Sequence, residues 1–188
     1  PKERETQICM NDYKYVDLIL GKQCQTKMGR GGIRPLEFKT FSKEMQNAIT
    51  NYCQAGGNFF VSGAYVASDL WDNRLVKANE EDKKFAMEVL KYKWRVGQAA
   101  RNGKVKSVAS PFPEITGSYT YYQDLNPESY VVESPDALEP AAQGAFTILR
   151  YSENNLSAGI AYKGNYKTCV LGFPFEAIRT VTERELLM

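Results

Sequence analysis

No histidine occurs anywhere in the sequence. A chain acting alone therefore has no Ser-His-Asp or Cys-His catalysis, no HExxH chemistry and no His-ligated zinc, because each needs imidazole as base or ligand. Cysteine is sparse: Cys9, Cys24, Cys53 and Cys169 stand far apart with no CxxC pair, which argues against a compact zinc site. Cys53 falls on an expected helix and Cys169 in an expected strand, positions typical of buried free thiols, while a disulfide between Cys9 and Cys24 stays open. No apolar run is long enough for a transmembrane helix, and no signal-peptide pattern, internal repeat or low-complexity tract is present. The net charge of +2 points to neither nucleic acid nor a membrane surface. No cofactor and no metal are expected.

What is present suits a globular domain: 43% hydrophobic and 24% charged residues over a length that can bury a sizeable core, read as a single domain over 1–188. The ends read as cut. The chain opens on Pro1-Lys2-Glu3-Arg4, and Thr182 and Glu185 have capping-box spacing for a helix that Leu186-Leu187-Met188 cannot complete. The expectation is a fragment of a longer multidomain protein, so the missing signal peptide carries no information about localisation.

Tyr15–Leu20 is the first expected strand, closed by Gly21, and Thr40–Ala55 an amphipathic helix with Phe41, Met45, Ala48, Ile49 and Tyr52 on one stripe. Gly56 ends that helix, and Asn58–Ser62 reads as a second strand. The three form a βαβ crossover with parallel strands, which brings Gly21-Lys22-Gln23 and Ser62-Gly63-Ala64-Tyr65 to the same sheet edge, where α/β folds bind ligands. The intervening loop, Lys22 to Lys39, carries five basic residues (Lys22, Lys27, Arg30, Arg34, Lys39) against Glu37 alone and reads as a basic lid or a solvated surface loop. Gly29-Arg30-Gly31-Gly32-Ile33-Arg34 within it matches no phosphate-binding pattern. Further on, a long helix is expected over Asn79–Ala100 with Phe85, Val89, Tyr92 and Val96 buried, then a strand over Lys104–Ser110. Tyr119, Tyr121, Tyr122 and Tyr130 form either a sugar-stacking platform or ordinary strand positions. Phe146–Tyr151, Ala158–Lys163 and Tyr166–Phe173 complete an antiparallel C-terminal extension, the last two joined at Gly164-Asn165.

Ser62 is the candidate nucleophile by position, yet Phe60 and Ala64 occupy the glycine places of a GxSxG elbow and no imidazole is available as base. Asp69, Asp72 and Glu176 follow expected strand ends and are the candidate carboxylates for acid/base work. Lys22, Gln23, Gly63, Ala64 and Tyr65 are the candidate ligand-binding residues of the strand-end crevice.

The order of Gly21, a helix, Gly56-Gly57-Asn58-Phe59-Phe60-Val61-Ser62-Gly63, then a hairpin leading to Gly172-Phe173-Pro174-Phe175-Glu176 resembles the class I glutamine amidotransferase-like superfamily. That resemblance implies a three-layer, mostly parallel α/β sheet of flavodoxin-like type with an antiparallel C-terminal hairpin extension. It places the cysteine nucleophile position at Ser62 or Gly63, the histidine at Pro174 and the glutamate at Glu176, so only the orienting acid remains and amidotransferase activity is not expected. Val16-Asp17-Leu18-Ile19-Leu20-Gly21-Lys22-Gln23, Val61-Ser62-Gly63-Ala64-Tyr65-Val66, Ser134-Pro135-Asp136-Ala137-Leu138 and Gly159-Ile160-Ala161-Tyr162-Lys163 are similar to secreted Bacteroides-type proteins labelled xanthan lyase. The resemblance implies an extracytoplasmic domain with a degenerate active site, serving polysaccharide handling or contact with other domains of the same chain. Lyase chemistry itself does not transfer, since true xanthan lyases combine a helical toroid with catalytic Tyr, His, Asn and Arg residues. The alternatives are a carbohydrate-active hydrolase or lyase working through carboxylate, Tyr and Lys groups, and a glycan-binding module.

Overall fold

A computed structural model describes residues 9–28, 36–71 and 79–188. In chain order it contains β1 (Tyr15–Ile19), β2 (Thr26–Met28), β3 (Leu36–Phe38), α1 (Lys43–Gln54), β4 (Asn58–Ser62), α2 (Ser68–Trp71) and α3 (Glu80–Lys84). There follow β5 (Tyr92–Val96), β6 (Lys104–Ser107), β7 (Ser118–Thr120), β8 (Ala137–Pro140), β9 (Ala145–Tyr151), β10 (Ser157–Lys163), β11 (Lys167–Leu171) and α4 (Val181–Glu185). The ends of the expected basic loop pair as a two-stranded ribbon, β2 with β3, and the Gly29–Arg34 segment lies outside the described residues.

The β1-α1-β4 crossover forms as its sequence demands. Ser42 caps α1 by accepting the Met45 N–H at 3.3 Å, and Ile49, Tyr52 and Cys53 are buried on the inward stripe. β1 and β4 then pair in parallel from Tyr15↔Asn58 to Ile19↔Ser62.

The architecture beyond that unit is a correction. The sheet has seven strands in the order β1-β4-β11-β10-β9-β6-β7; only β1/β4 and β4/β11 are parallel, and the four remaining pairings are antiparallel. This mixed sheet with few helices is not the three-layer, mostly parallel flavodoxin-like sandwich. The physical reason lies in residues 79–100. Asn79 does cap a helix, accepting the Asp82 N–H at 2.7 Å, but α3 passes into a π-helical turn over Phe85–Leu90 and Lys91 adopts a left-handed conformation at φ 68°. The chain leaves that point as β5, which pairs with β8 in a separate antiparallel ribbon. Among the described residues, 79–100 therefore supply no long helix to complete a further layer on the sheet.

Two hydrophobic clusters form the interior. One joins α1 and the π turn to the sheet through Ile49, Tyr52, Phe59, Val61, Leu90 and Val170. The other is built from strand and loop aromatics, Tyr119, Tyr121, Tyr151 and Phe173, with Val105 and Leu149. The capping box near the C-terminus belongs to Thr180 and Glu183 rather than to Thr182 and Glu185, so α4 starts earlier than the spacing suggested. All four cysteines are free, which removes the Cys9–Cys24 disulfide; Cys53 is buried, and burial pushes its thiol up to about 12.

Candidate functional site

β1 and β4 end side by side, and Gly21 and Ala64 are tied by an N–H···O bond of 2.9 Å from Ala64. At this edge Ser62 is fully buried, and its Oγ accepts the Phe175 N–H at 3.2 Å. The Phe175 ring meets Phe60 edge-on at 5.6 Å, and Pro174 is buried. Ser62 is thus covered by the Pro174-Phe175 segment. Gly63 donates its N–H to the Leu171 carbonyl at 3.3 Å, so the alternative register offers only main chain.

Glu176 lies beside Gly21. Its Oε1 accepts the Tyr130 hydroxyl at 2.5 Å, while its Oε2 is buried without a hydrogen-bond partner among the described residues. A Cβ on Gly21 would lie 3.1 Å from Glu176 Oε1 and 3.2 Å from the Tyr130 hydroxyl, and φ there is +58°, so glycine is needed both for space and for backbone conformation. Burial, then the bond to Glu176, raises the Tyr130 pKa, which makes its phenol a poor base near neutrality. Lys22 Nζ pairs with Glu133 at 2.5 Å and sits 5.7 Å from the Tyr130 ring centroid. The bond to Lys22 in turn lowers the Glu133 pKa. Tyr65 is half-buried, and burial raises its pKa. Contacts thus run from Glu133 through Lys22 and Tyr130 to Glu176 beside this sheet edge.

Other expected site residues are structural. Gln23 binds the Lys39 carbonyl through Nε2 at 3.3 Å. Asp69 accepts the Gln25 N–H at 2.7 Å and the Thr40 N–H at 3.1 Å, so both its oxygens clamp the chain on either side of the β2/β3 ribbon. Asp72 lies outside the described residues. The tyrosine platform does not form: Tyr119 and Tyr121 are buried, and Tyr121 stacks on Phe173 at 5.1 Å. Of that set Tyr122 remains accessible, with Arg179 over its ring at 5.1 Å and its hydroxyl on Glu128.

Sequence reasoning passed over three groups. Glu133 reaches Lys22 only through folding. Arg179 and Arg184 join Glu176, Tyr122 and Ser129 around a pocket of about 420 Å³ beyond the crevice. Asp136, seen in the sequence only as part of Ser134–Leu138, is fully buried and accepts the N–H groups of Ala67 and Ser68 at 2.8 Å, the Ser68 hydroxyl at 3.1 Å and Trp94 Nε1 at 3.2 Å. Burial raises its carboxyl to about 7 against the opposing pull of these donors. Among the described residues no cluster of acidic or thiol groups could hold a metal, and no helix is long and apolar enough to cross a membrane.

No family model matches the chain, and no curated protein matches it in sequence. Among solved structures, the exo-beta-1,4-mannosidase Op5Man5 from Opitutaceae bacterium strain TAV5 is similar at a TM-score of 0.49 and 9% identity over 90% of this chain. The chain spans only 22% of that enzyme's length. The mmIFT52 N-terminal domain is similar at a TM-score of 0.40 and 16% identity, covering 79% of this chain and 68% of the other. Likeness at this level assigns no activity.

Proposed function

We propose that the chain is a non-catalytic module of an extracytoplasmic polysaccharide-handling protein, one that binds or docks rather than turns a substrate over. The observation carrying this reading is the burial of Ser62 with its Oγ already engaged by the Phe175 N–H. A nucleophile needs both an exposed oxygen and a base within hydrogen-bond reach, and this serine has no exposed oxygen and no imidazole to call on. The neighbouring groups are similarly committed, Lys22 to Glu133 and Asp69 to two backbone amides. The extracytoplasmic setting and the link to polysaccharide rest on the similarity to secreted proteins labelled xanthan lyase. The test is an assay of the purified chain on glutamine, simple amides and a broad glycan panel. Turnover is expected on none; amide hydrolysis that disappears in Ser62→Ala would sink the proposal.

One observation favours a second reading, a carbohydrate-active hydrolase or lyase. Glu176 keeps one buried oxygen without a partner, beside Tyr130 and at the wall of the 420 Å³ pocket. An uncommitted buried carboxylate oxygen is a feature that catalytic sites share. Depolymerisation of any glycan by the chain, lost in Glu176→Gln, would move the conclusion to this reading.

A further inference from the structure

Among the described residues β1 is the end strand of the seven-stranded sheet and is hydrogen-bonded to β4 alone. In a parallel pair alternate residues of a strand direct both main-chain groups to the neighbour, and the residues between direct both groups away. Two flanking bonds set the phase. The Asn58 N–H donates to the Lys14 carbonyl at 3.4 Å and the Leu20 N–H to the Ser62 carbonyl at 2.9 Å, so the even positions serve β4. Tyr15, Asp17 and Ile19 therefore present their N–H and C=O groups to the open edge, where none has a partner among the described residues.

Edge strands are ordinarily blunted by proline, lysine, a bulge or a covering segment. The strand Tyr15–Ile19 contains neither proline nor lysine, and its register with β4 runs without a bulge. The outward residues are also exposed: Tyr15 retains 64% and Ile19 50% of their accessible surface. Their side chains share the sheet face that carries a groove of about 670 Å³ with an apolar floor that includes Phe60 and Phe112. The charges lining it are Asp17, Glu114 and Glu185 against Lys167 alone, and Asp17 makes no ion pair among the described residues.

The geometry points to β1 as a strand-addition site: an extended segment of a partner protein, alternating apolar and basic residues, pairs with Tyr15–Ile19 and sets a lysine or arginine against Asp17. Main-chain bonds to the three outward residues supply affinity, and the acidic groove on the face of Asp17 selects the basic side chains of the segment. A second copy of this chain is the poorer occupant in the register centred on Asp17, because two carboxylates would then stand directly opposite. The site is separate from the Ser62 crevice and does not depend on the polysaccharide reading.

The probe is the fluorescent peptide Thr-Val-Lys-Val-Lys-Val-Thr, titrated onto the full 188-residue chain by anisotropy, beside a version with Glu for Lys and one N-methylated at alternate amides. The lysine peptide should bind saturably, the glutamate peptide about fivefold more weakly or worse, and the N-methylated one not at all. Asp17→Lys, at an exposed position whose fold is checked by circular dichroism, should invert the charge preference. Hydrogen exchange should show new protection at the Tyr15, Asp17 and Ile19 amides and none at Val16 and Leu18, which already serve β4. Absence of saturable binding by the lysine peptide, equal binding of the N-methylated peptide, or a dimer in sedimentation that excludes the peptide would overturn the proposal.

Discussion

Raising the pH should weaken this fold through a single carboxyl group, Asp136. Its folded value of about 7 stands above the unfolded value of 3.8 because the side chain is fully buried. A carboxyl raised on folding holds its proton more tightly in the native state. Its contribution is therefore complete below the unfolded value and is lost as the pH climbs through the folded one. Between about pH 5.5 and 7.5 those two values give a loss of about 2 kcal/mol, a drop of about 1 M in urea midpoint for an m-value of about 2 kcal/mol/M. No histidine titrates within the window. The carboxylates lowered by their hydrogen bonds, Glu44, Glu80, Glu81 and Glu133, complete their titration below it. Urea titrations followed by tryptophan fluorescence across the window provide the assay, with Asp136→Asn as the control whose midpoint should be lower but flat with pH. A flat wild-type profile, or an equal slope in Asp136→Asn, would refute the reasoning.

Further substitutions probe the packing that the site depends on. Tyr121→Ala should lower stability by about 3–5 kcal/mol, read by thermal or urea unfolding, because it empties a buried stack on Phe173; a loss of glycan affinity at unchanged stability would contradict that assignment. Gly172→Ala places a Cβ 2.0 Å from the Asp136 carbonyl oxygen and should cost about 3 kcal/mol or prevent folding, visible as loss of soluble, cooperative protein. Ser62→Ala removes one buried acceptor and should cost about 1 kcal/mol in the same unfolding assay. Asp69→Ala should raise amide exchange at Gln25 and Thr40, the two N–H groups it holds, while leaving the sheet amides unchanged.

The parts legible in the sequence were those whose signals are local. Asn58–Ser62 is bounded by turn glycines on one side and Ser62-Gly63 on the other, and it forms a strand with those limits. Ser42 and the stripe through Ile49 and Tyr52 announce α1 in the same way. Residues 79–100 misled because Phe85, Val89, Tyr92 and Val96 carry helical spacing, while Tyr92-Lys93-Trp94-Arg95-Val96 also alternates with aromatic and β-branched residues suited to a strand. Pairing with β8, a partner supplied over forty residues later, decides that contest in favour of the strand. The strand-end crevice was legible as a location. Its contents were legible in part: Lys22, Tyr65 and Glu176 follow strand ends in the sequence, whereas the contacts of Glu133 and Tyr130 arise from tertiary folding that no spacing encodes, and the covering of Ser62 depends on how Pro174-Phe175 folds back over it.

The position of β11 in the sheet has a consequence for biosynthesis. It comes last in chain order among the strands of this sheet, yet it lies between β4 and β10 and bonds to both. Until residues 167–171 leave the ribosome, β4 and β10 have no common neighbour and the sheet remains two separate pieces with open edges. Folding of the sheet must therefore wait for β11, with long loops to close and unpaired strands exposed to aggregation meanwhile. A stalled or prematurely terminated chain would lose an interior strand of the sheet, so such products should be insoluble rather than shortened versions of the native fold.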